Sequence, residues 1–277
     1  MKWGSPRMLL AIAVLLAFRV VSPAENSEPQ AWRILETGVV DKNPEVRAVA
    51  VGALGLVPQN SRAAALAEKA LEDEKPAVRA AGARALGQMP ESASIPLLRK
   101  ALADKDGEVV MAAAHSLIQL KDVAGYEVYY SVLTGERKAG ENLMSQEADF
   151  LKDPKKVAKF SLEQGIGLIP YGGCYALTAV EFAKKKKQDK YSAKAVAARV
   201  LANDPDPQSR KALIREVADT SWIVREAAIE AIAIRADPSL LGDVQAAMSD
   251  QDFHVRYTAA AVVISLTGVL STDQNKN

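Results

Sequence analysis

Apolar and small residues recur along this chain with the spacing of one helix face, and that pattern itself recurs every 31–32 residues. Six segments align without gaps, beginning at Val46, Val78, Val109, Ala193, Val224 and Val255. The fourth position holds Val49, Ala81, Ala112, Val196, Ala227 and Thr258. The fifth holds Ala50, Gly82, Ala113, Ala197, Ala228 and Ala259, and the ninth Leu54, Leu86, Leu117, Leu201, Ile232 and Val263. Positions i, i+3, i+4 and i+8 share one side of an α-helix, so each segment predicts a helix with one buried face. The small fifth position predicts a close helix crossing.

A second helix is predicted ahead of most segments. It is marked by apolar pairs four residues apart: Leu35/Val39, Ala67/Leu71, Leu98/Leu102, Leu213/Val217 and Val244/Met248. Each pair ends two residues before an aspartate, at Asp41, Asp73, Asp104, Asp219 or Asp250. The repeating unit is therefore helix, short turn with aspartate, helix. Neither helix buries its face alone, so units must stack on their neighbours. The expected fold class is all-α, a solenoid of helix pairs.

Arg47, Arg79, Arg225 and Arg256 follow their aspartates by six residues; Lys194 takes that place in the fourth copy and Val110 breaks it in the third. Aspartate suits a helix start or turn, where its carboxylate accepts backbone N–H groups. Arginine in register with a core suits charge-assisted ties between adjacent units. The competing use is an arginine row for an anionic ligand. Recurrence in step with the core favours the structural role for Asp41, Arg47, Asp73, Arg79, Asp104, Lys194, Asp219, Arg225, Asp250 and Arg256.

The motif Asp-x₄-Val-Arg-x₂-Ala-x₃-Leu-Gly is near complete at 41–55 and 73–87, clear at 219–233 and 250–264, and partial at 104–118 and 188–202. In it the chain resembles the HEAT-repeat family, in particular the short bacterial repeats of phycobilisome-lyase type. The resemblance implies a right-handed α-solenoid with one helix layer on each side. It is specific for fold and weak for function, because members include scaffolds, adaptors and a minority of enzymes. Its iron enzymes use repeated His-Glu pairs, and this chain has none.

From Asp104 to Gln188 the chain runs 84 residues where one period would give 31, an excess of 53 between the third and fourth clear repeats. Gly125 to Leu133 reads as a first helix, without the usual second helix after it. A polar loop at 135–141, a helix at 142–152 and a helix opened by Asp153-Pro154 are expected to follow. Residues 164–180 carry no charge and are broken by Ile169-Pro170-Tyr171-Gly172-Gly173, which predicts a helical hairpin flanked by lysines. Such a hairpin has three uses: packing on the solenoid, binding a partner, or lying in a membrane surface with lysines at the headgroups. The candidate interaction patch on it is Ile166, Leu168, Ile169, Tyr171 and Tyr175. The insertion is placed at about 135–173.

The first 24 residues read as a secretory signal peptide. Lys2 and Arg7 form a basic start, Met8 to Phe18 an apolar run, and Ser22-Pro23-Ala24 a small-residue cleavage site before Glu25. The solenoid is expected over 25–270 and a disordered tail over 271–277. Without Lys2, Arg7 and Arg19 the 35 basic residues fall to 32 against 34 acidic, a net of −2. That balance gives no electrostatic attraction for nucleic acid. Cys174 is the only cysteine, so no internal disulfide forms. A monomer in the periplasm, or secreted, fits these features.

No catalytic signature is present: no Gly-x-Ser-x-Gly, no His-Glu-x-x-His, no phosphate loop and no cysteine pair. The two histidines stand apart, His115 in the seventh helix position, read as exposed, and His254 in a turn. Neither a metal site nor a cofactor is expected. Cys174 reads as a small apolar residue without a base beside it. Trp32 and Trp222 read as packing residues, as do Tyr126, Tyr129 and Tyr130. The function expected is a non-catalytic scaffold for an unknown protein partner, with the concave face and the insertion as its surface. The alternatives are a peripheral membrane protein and an enzyme of the lyase or glycosylase type, whose substrates lie inside the cell.

Overall fold

A computed structural model describes residues 23–90, 92–134 and 189–274. Among these residues the regular elements are all helical. They are α1 (Pro23–Gly38), α2 (Pro44–Ala53), α3 (Ser61–Ala70), α4 (Pro76–Gln88), α5 (Ile95–Ala101), α6 (Gly107–Gln119) and α7 (Val123–Thr134). After the insertion come α8 (Asp189–Leu201), α9 (Pro207–Glu216), α10 (Trp222–Arg235), α11 (Leu241–Gln245) and α12 (Phe253–Gln274). Short 3₁₀ turns at Leu54–Leu56, Ser92–Ser94, Pro238–Leu240 and Ala246–Ser249 adjoin α2, α5 and α11.

Local chemistry starts these helices. Asn43, Asn60, Asp106 and Asp206 cap α2, α3, α6 and α9 by accepting first-turn N–H groups, and Pro44, Pro76 and Pro207 take first-turn positions where no donor is lost. The repeat aspartates sit two residues before the N-cap positions of the second helices. Asp41 Oδ1 accepts from Asn43 N, Asp73 from Lys75 N, Asp104 from Asp106 N and Asp219 from Ser221 N, at 2.8–2.9 Å. Each aspartate thus closes the turn, and the following residue pair opens the helix.

The second helices of the units form a row whose order in space is not the order in the chain. Contacts run α8–α10–α12, then from α12 to α2, and on through α4 to α6, with the first helix α7 packed on α6. The last repeat therefore abuts the first, with α1 packed against both α12 and α2. In the chain the insertion lies between the third and fourth repeats; in space its flanking helices, α7 and α8, stand at opposite ends of the stack. Gly38 marks the seam. A Cβ there would lie 2.4 Å from Tyr257 Cε1 and 2.7 Å from Ala50 Cβ, so only glycine fits. Gly82 fills the same role inside the second unit, where a Cβ would stand 2.8 Å from Ala67 O and 3.1 Å from Ala70 Cβ. Both crossings involve the small fifth position.

The core is continuous across the seam. Leu35, Leu54, Leu86, Leu98, Leu117, Leu213, Ile232, Leu240 and Leu266 are fully buried in it. Helix α12 is long and apolar enough to cross a membrane, yet 61% of its apolar window is buried inside the stack, as befits a core helix. It runs to Gln274, four residues into the stretch expected as a tail. The fourth copy departs from its pattern: Ala193 and Ala197, read as core positions, are exposed, while Ala195, Ala198 and Ala202 are buried against α10.

Candidate functional site

The repeat arginines and aspartates build a ladder along the row. Arg47 donates from Nε and Nη2 to both carboxylate oxygens of Asp73, at 2.8 and 2.9 Å. Arg79 does the same to Asp104 at 2.7 and 2.7 Å, and Arg225 to Asp250 at 2.7 and 2.8 Å. Each arginine meets the aspartate of the next unit, and its Nη1 reaches back to the carbonyl of its own: Asp41 O, Asp73 O and Asp219 O. One guanidinium therefore ties two turns in a fork geometry. Lys194 substitutes a point charge, donating to Asp219 and Glu216 at 2.6 Å each.

These groups titrate accordingly. Their partners' carboxylates hold Arg47, Arg79 and Arg225 above the usual arginine value. Burial opposes the charged form of Asp73, Asp104 and Asp250, but the arginine and turn N–H bonds outweigh it and keep them below the usual range. Burial likewise opposes Asp219, and the Lys194 and Ser221 bonds bring it down to about 2. The ladder stops at the seam: among the described residues Arg256 meets no carboxylate, donating instead to Asp250 O and Gln251 O.

A second set of ties joins the first helices. Arg62 pairs with Glu36, Ser94 with Glu68, Arg99 with Asp122 and Arg210 with Asp237. Arg62 also lies over the Trp32 ring at 4.5 Å. Arg235 closes the turn after α8 by donating to Leu201 O, Ala202 O and Asp204 O.

With the fifth position turned to its own unit's first helix, 100° per residue turns the third and seventh positions away from that helix, though at the seam Tyr257 meets Gly38 of α1. Following the row, that face carries Ala195 and Arg199, Glu226 and Glu230, Tyr257 and Ala261, Ala48 and Gly52, Ala80 and Arg84, then Met111 and His115. Arg199 bonds Glu230 at 2.9 Å and Arg84 reaches Glu108 at 3.4 Å. Burial, and then the neighbouring charge of Glu230, push Glu226 up to about 8, with Arg199 acting in the other direction. His115, read as exposed, is half-buried. Among the described residues no group of three His, Cys, Asp or Glu side chains is placed to hold a metal ion.

Aromatic side chains gather elsewhere. His254 stacks on Trp222 and on Phe253, with ring centroids 4.3 Å apart in each case, while its Nδ1 lies 3.1 Å from Asp252 Oδ1. Trp32 is packed as read, 5% exposed. The tyrosine cluster of α7 is not core. Only Tyr129 is half-buried, with its hydroxyl raised to about 12 by burial; Tyr126 and Tyr130 are exposed. With Val123 and Leu133 they form a stripe spaced 3-4-3 down α7, exposed by 67, 59, 62 and 84% in chain order. Sequence reasoning missed this stripe because aromatic spacing in a helix looks alike whether a neighbour covers it or not. The patch Ile166, Leu168, Ile169, Tyr171 and Tyr175, and Cys174, lie outside the described residues.

Comparison with known proteins bears on the fold. A structure of human deoxyhypusine hydroxylase in complex with glycerol is 19% identical, covering 87% of this chain and 97% of its own, with a TM-score of 0.34. At that score the likeness carries no argument about this chain. No curated protein matches. The family profile described as HEAT repeats matches residues 33–118 and 182–264, together more than half of the 277 residues. With the helix pairs stacked as described, the chain belongs to the HEAT-repeat family.

Proposed function

We propose that this protein is a non-catalytic scaffold or adaptor that binds another protein, exported to the periplasm or beyond and built from the short bacterial kind of HEAT repeat. The observation that carries the binding role is the α7 stripe of Val123, Tyr126, Tyr130 and Leu133. In α3, Glu68 lies on the side that faces the following first helix and accepts a bond from Ser94. Counted from the caps Asn60 and Asp122, Glu68 corresponds to Tyr130, so the stripe lies where a further unit would stack. A polar outer face is what a closed solenoid end requires. Among the described residues the row instead ends on two tyrosines and two aliphatic residues, the composition favoured where protein surfaces meet.

The test is a comparative affinity capture from the periplasmic fraction, using the full chain and a Tyr126→Asp, Tyr130→Asp variant. A protein captured by the wild type and lost with the variant supports the role, provided helicity and melting are unchanged. Equal capture refutes the assignment of the stripe. Fractionation with intact-mass measurement tests export: a chain beginning near Glu25 outside the cytosol is expected, and full-length cytosolic protein would contradict it.

A further inference from the structure

The repeat arginines share one conformer. In each, Nη1 donates to the carbonyl of the aspartate six residues back and, at 3.3 Å, to the carbonyl after it: Asp41 O and Lys42 O for Arg47, Asp73 O and Glu74 O for Arg79, Asp219 O and Thr220 O for Arg225. Arg256 repeats this clamp on Asp250 O at 2.7 Å and Gln251 O at 3.4 Å. In the first three arginines the clamp leaves Nε and Nη2 directed at a carboxylate, which they bind at 2.7–2.9 Å. The same two donors of half-buried Arg256 meet no acceptor among the described residues. The fork is pre-oriented by its own turn, and three copies in the same molecule show what it grips.

The seam explains why the chain does not supply that carboxylate. It repeats the register of an ordinary joint. Between the first two units, Ala70, three residues before Asp73, shares an apolar cluster with Ala48, the third position of α2. At the seam Gly38, three residues before Asp41, meets Tyr257, the third position of α12. In that register Asp41 is to Arg256 what Asp73 is to Arg47. The side chain at the joint is a phenol ring rather than a methyl group, and the Arg256 guanidinium lies over that ring, with Cζ 5.5 Å from its centroid. Asp41 keeps the turn bond from Asn43 N, but its carboxylate meets no arginine among the described residues. The bulk of Tyr257 accounts for the separation of donor and acceptor.

The surroundings of the fork suit an incoming protein group. Phe253 stands three residues before Arg256, on the same side of α12, and is half-buried. It stacks on His254, which stacks on Trp222. Aromatic rings beside an arginine are the side chains that anchor protein interfaces. Of the nearby carboxylates, Asp250 is held by Arg225 and Asp252 accepts from His254 N. Asp41 is the remaining rival for the fork.

We infer that Arg256 is a binding residue for a carboxylate brought by another molecule, an acidic side chain or the C-terminal carboxylate of a bound protein. Its guanidinium is already ordered by the two carbonyl bonds, so bidentate binding costs little further side-chain freedom. That the carboxylate belongs to a protein rests on the scaffold role proposed above; that the fork takes a carboxylate does not. The site lies at the seam, whereas α7 lies at one end of the stack.

Arginine Nε–H spectra of the full chain by NMR test the fork directly, with the Arg256 signal assigned by its loss in Arg256→Gln. In the free protein the Nε–H of Arg256 should exchange with water at least about tenfold faster than those of Arg47, Arg79 and Arg225. Two probes are then titrated separately: N-acetylaspartic acid α-amide, a side-chain carboxylate, and N-acetylphenylalanine, a terminal carboxylate beside a ring. A saturable shift of the Arg256 signal with either supports the site and identifies the source. The corresponding uncharged amides should bind at least about tenfold more weakly, because the charge-assisted fork is lost. Slow exchange of Arg256 in the free protein would show the fork already partnered, by Asp41 if Asp41→Asn releases it, and would overturn the inference. So would the absence of a shift with both carboxylates, equal binding of the amides, tighter binding of inorganic phosphate, or an equal response at Arg215, whose side chain is 77% exposed.

Discussion

Replacing Arg79 by alanine removes the most buried rung of the ladder. Its side chain is 9% exposed and that of Asp104 14%. Four bonds are lost: two of 2.7 Å to Asp104, one of 3.0 Å to Asp73 O and one of 3.3 Å to Glu74 O. Asp104 keeps its bond from Asp106 N but loses its counter-charge. Breaking a fully buried pair costs about 3–5 kcal/mol, and an exposed pair contributes about 0–1 kcal/mol. This pair lies near the buried end yet touches water on one side, so the expected loss is about 2–3 kcal/mol. Urea unfolding followed by far-UV circular dichroism measures it, with Lys100→Ala on exposed α5 as the control, expected within about 0.5 kcal/mol. Arg62 is unsuitable as a control despite lying outside the motif, because it pairs with Glu36 and covers Trp32. A cycle with Asp104→Ala isolates the pair; a coupling of about 1–2 kcal/mol is expected. If Arg79→Ala costs no more than Lys100→Ala, or the two ladder substitutions simply add, the rung does not join the second and third units and the reasoning fails.

Two further outcomes follow from the same geometry. Glu226 is held protonated in the fold to about pH 8, whereas in the unfolded chain it ionises near its ordinary value of 4.5, so stability should fall as pH climbs between these values and level off above them; Glu226→Gln should flatten that part of the curve, and an unchanged slope in a pH series of urea midpoints would contradict the assignment. Gly38→Val should destabilise by about 2–4 kcal/mol because its side chain meets Tyr257 and Ala50 at the seam, while Gly52→Val, at a position with nothing within 4 Å of an added Cβ, should cost far less; similar melting temperatures for the two would refute the close crossing.

The helix pair was readable from the sequence because everything that defines it is local. Periodicity sets the buried face, proline and asparagine set the starts, and a small fifth position sets the crossing at Gly82 and Ala50. The spacing of Arg79 and Asp104 is equally visible, since neighbouring units that stack at a fixed offset must bring equivalent residues together. The tertiary structure alone decided what depends on contacts between distant parts of the chain. That α12 docks on α1 leaves only Gly38 facing Tyr257, a single small residue opposite a ring, with no periodicity to announce it. The elevation of Glu226 comes first from burial, which only the stack supplies; Glu230, one turn further along α10, adds to it and is the part visible in the sequence. Exposure of Ala197 and Tyr126 was hidden for the same reason: a helix carries the pattern of the face it offers, and only the stack determines whether another helix meets it. Nearest-neighbour packing writes the repeat into the sequence, while the order in which the repeats meet is set by the packing of α12 on α1 and α2 at one seam.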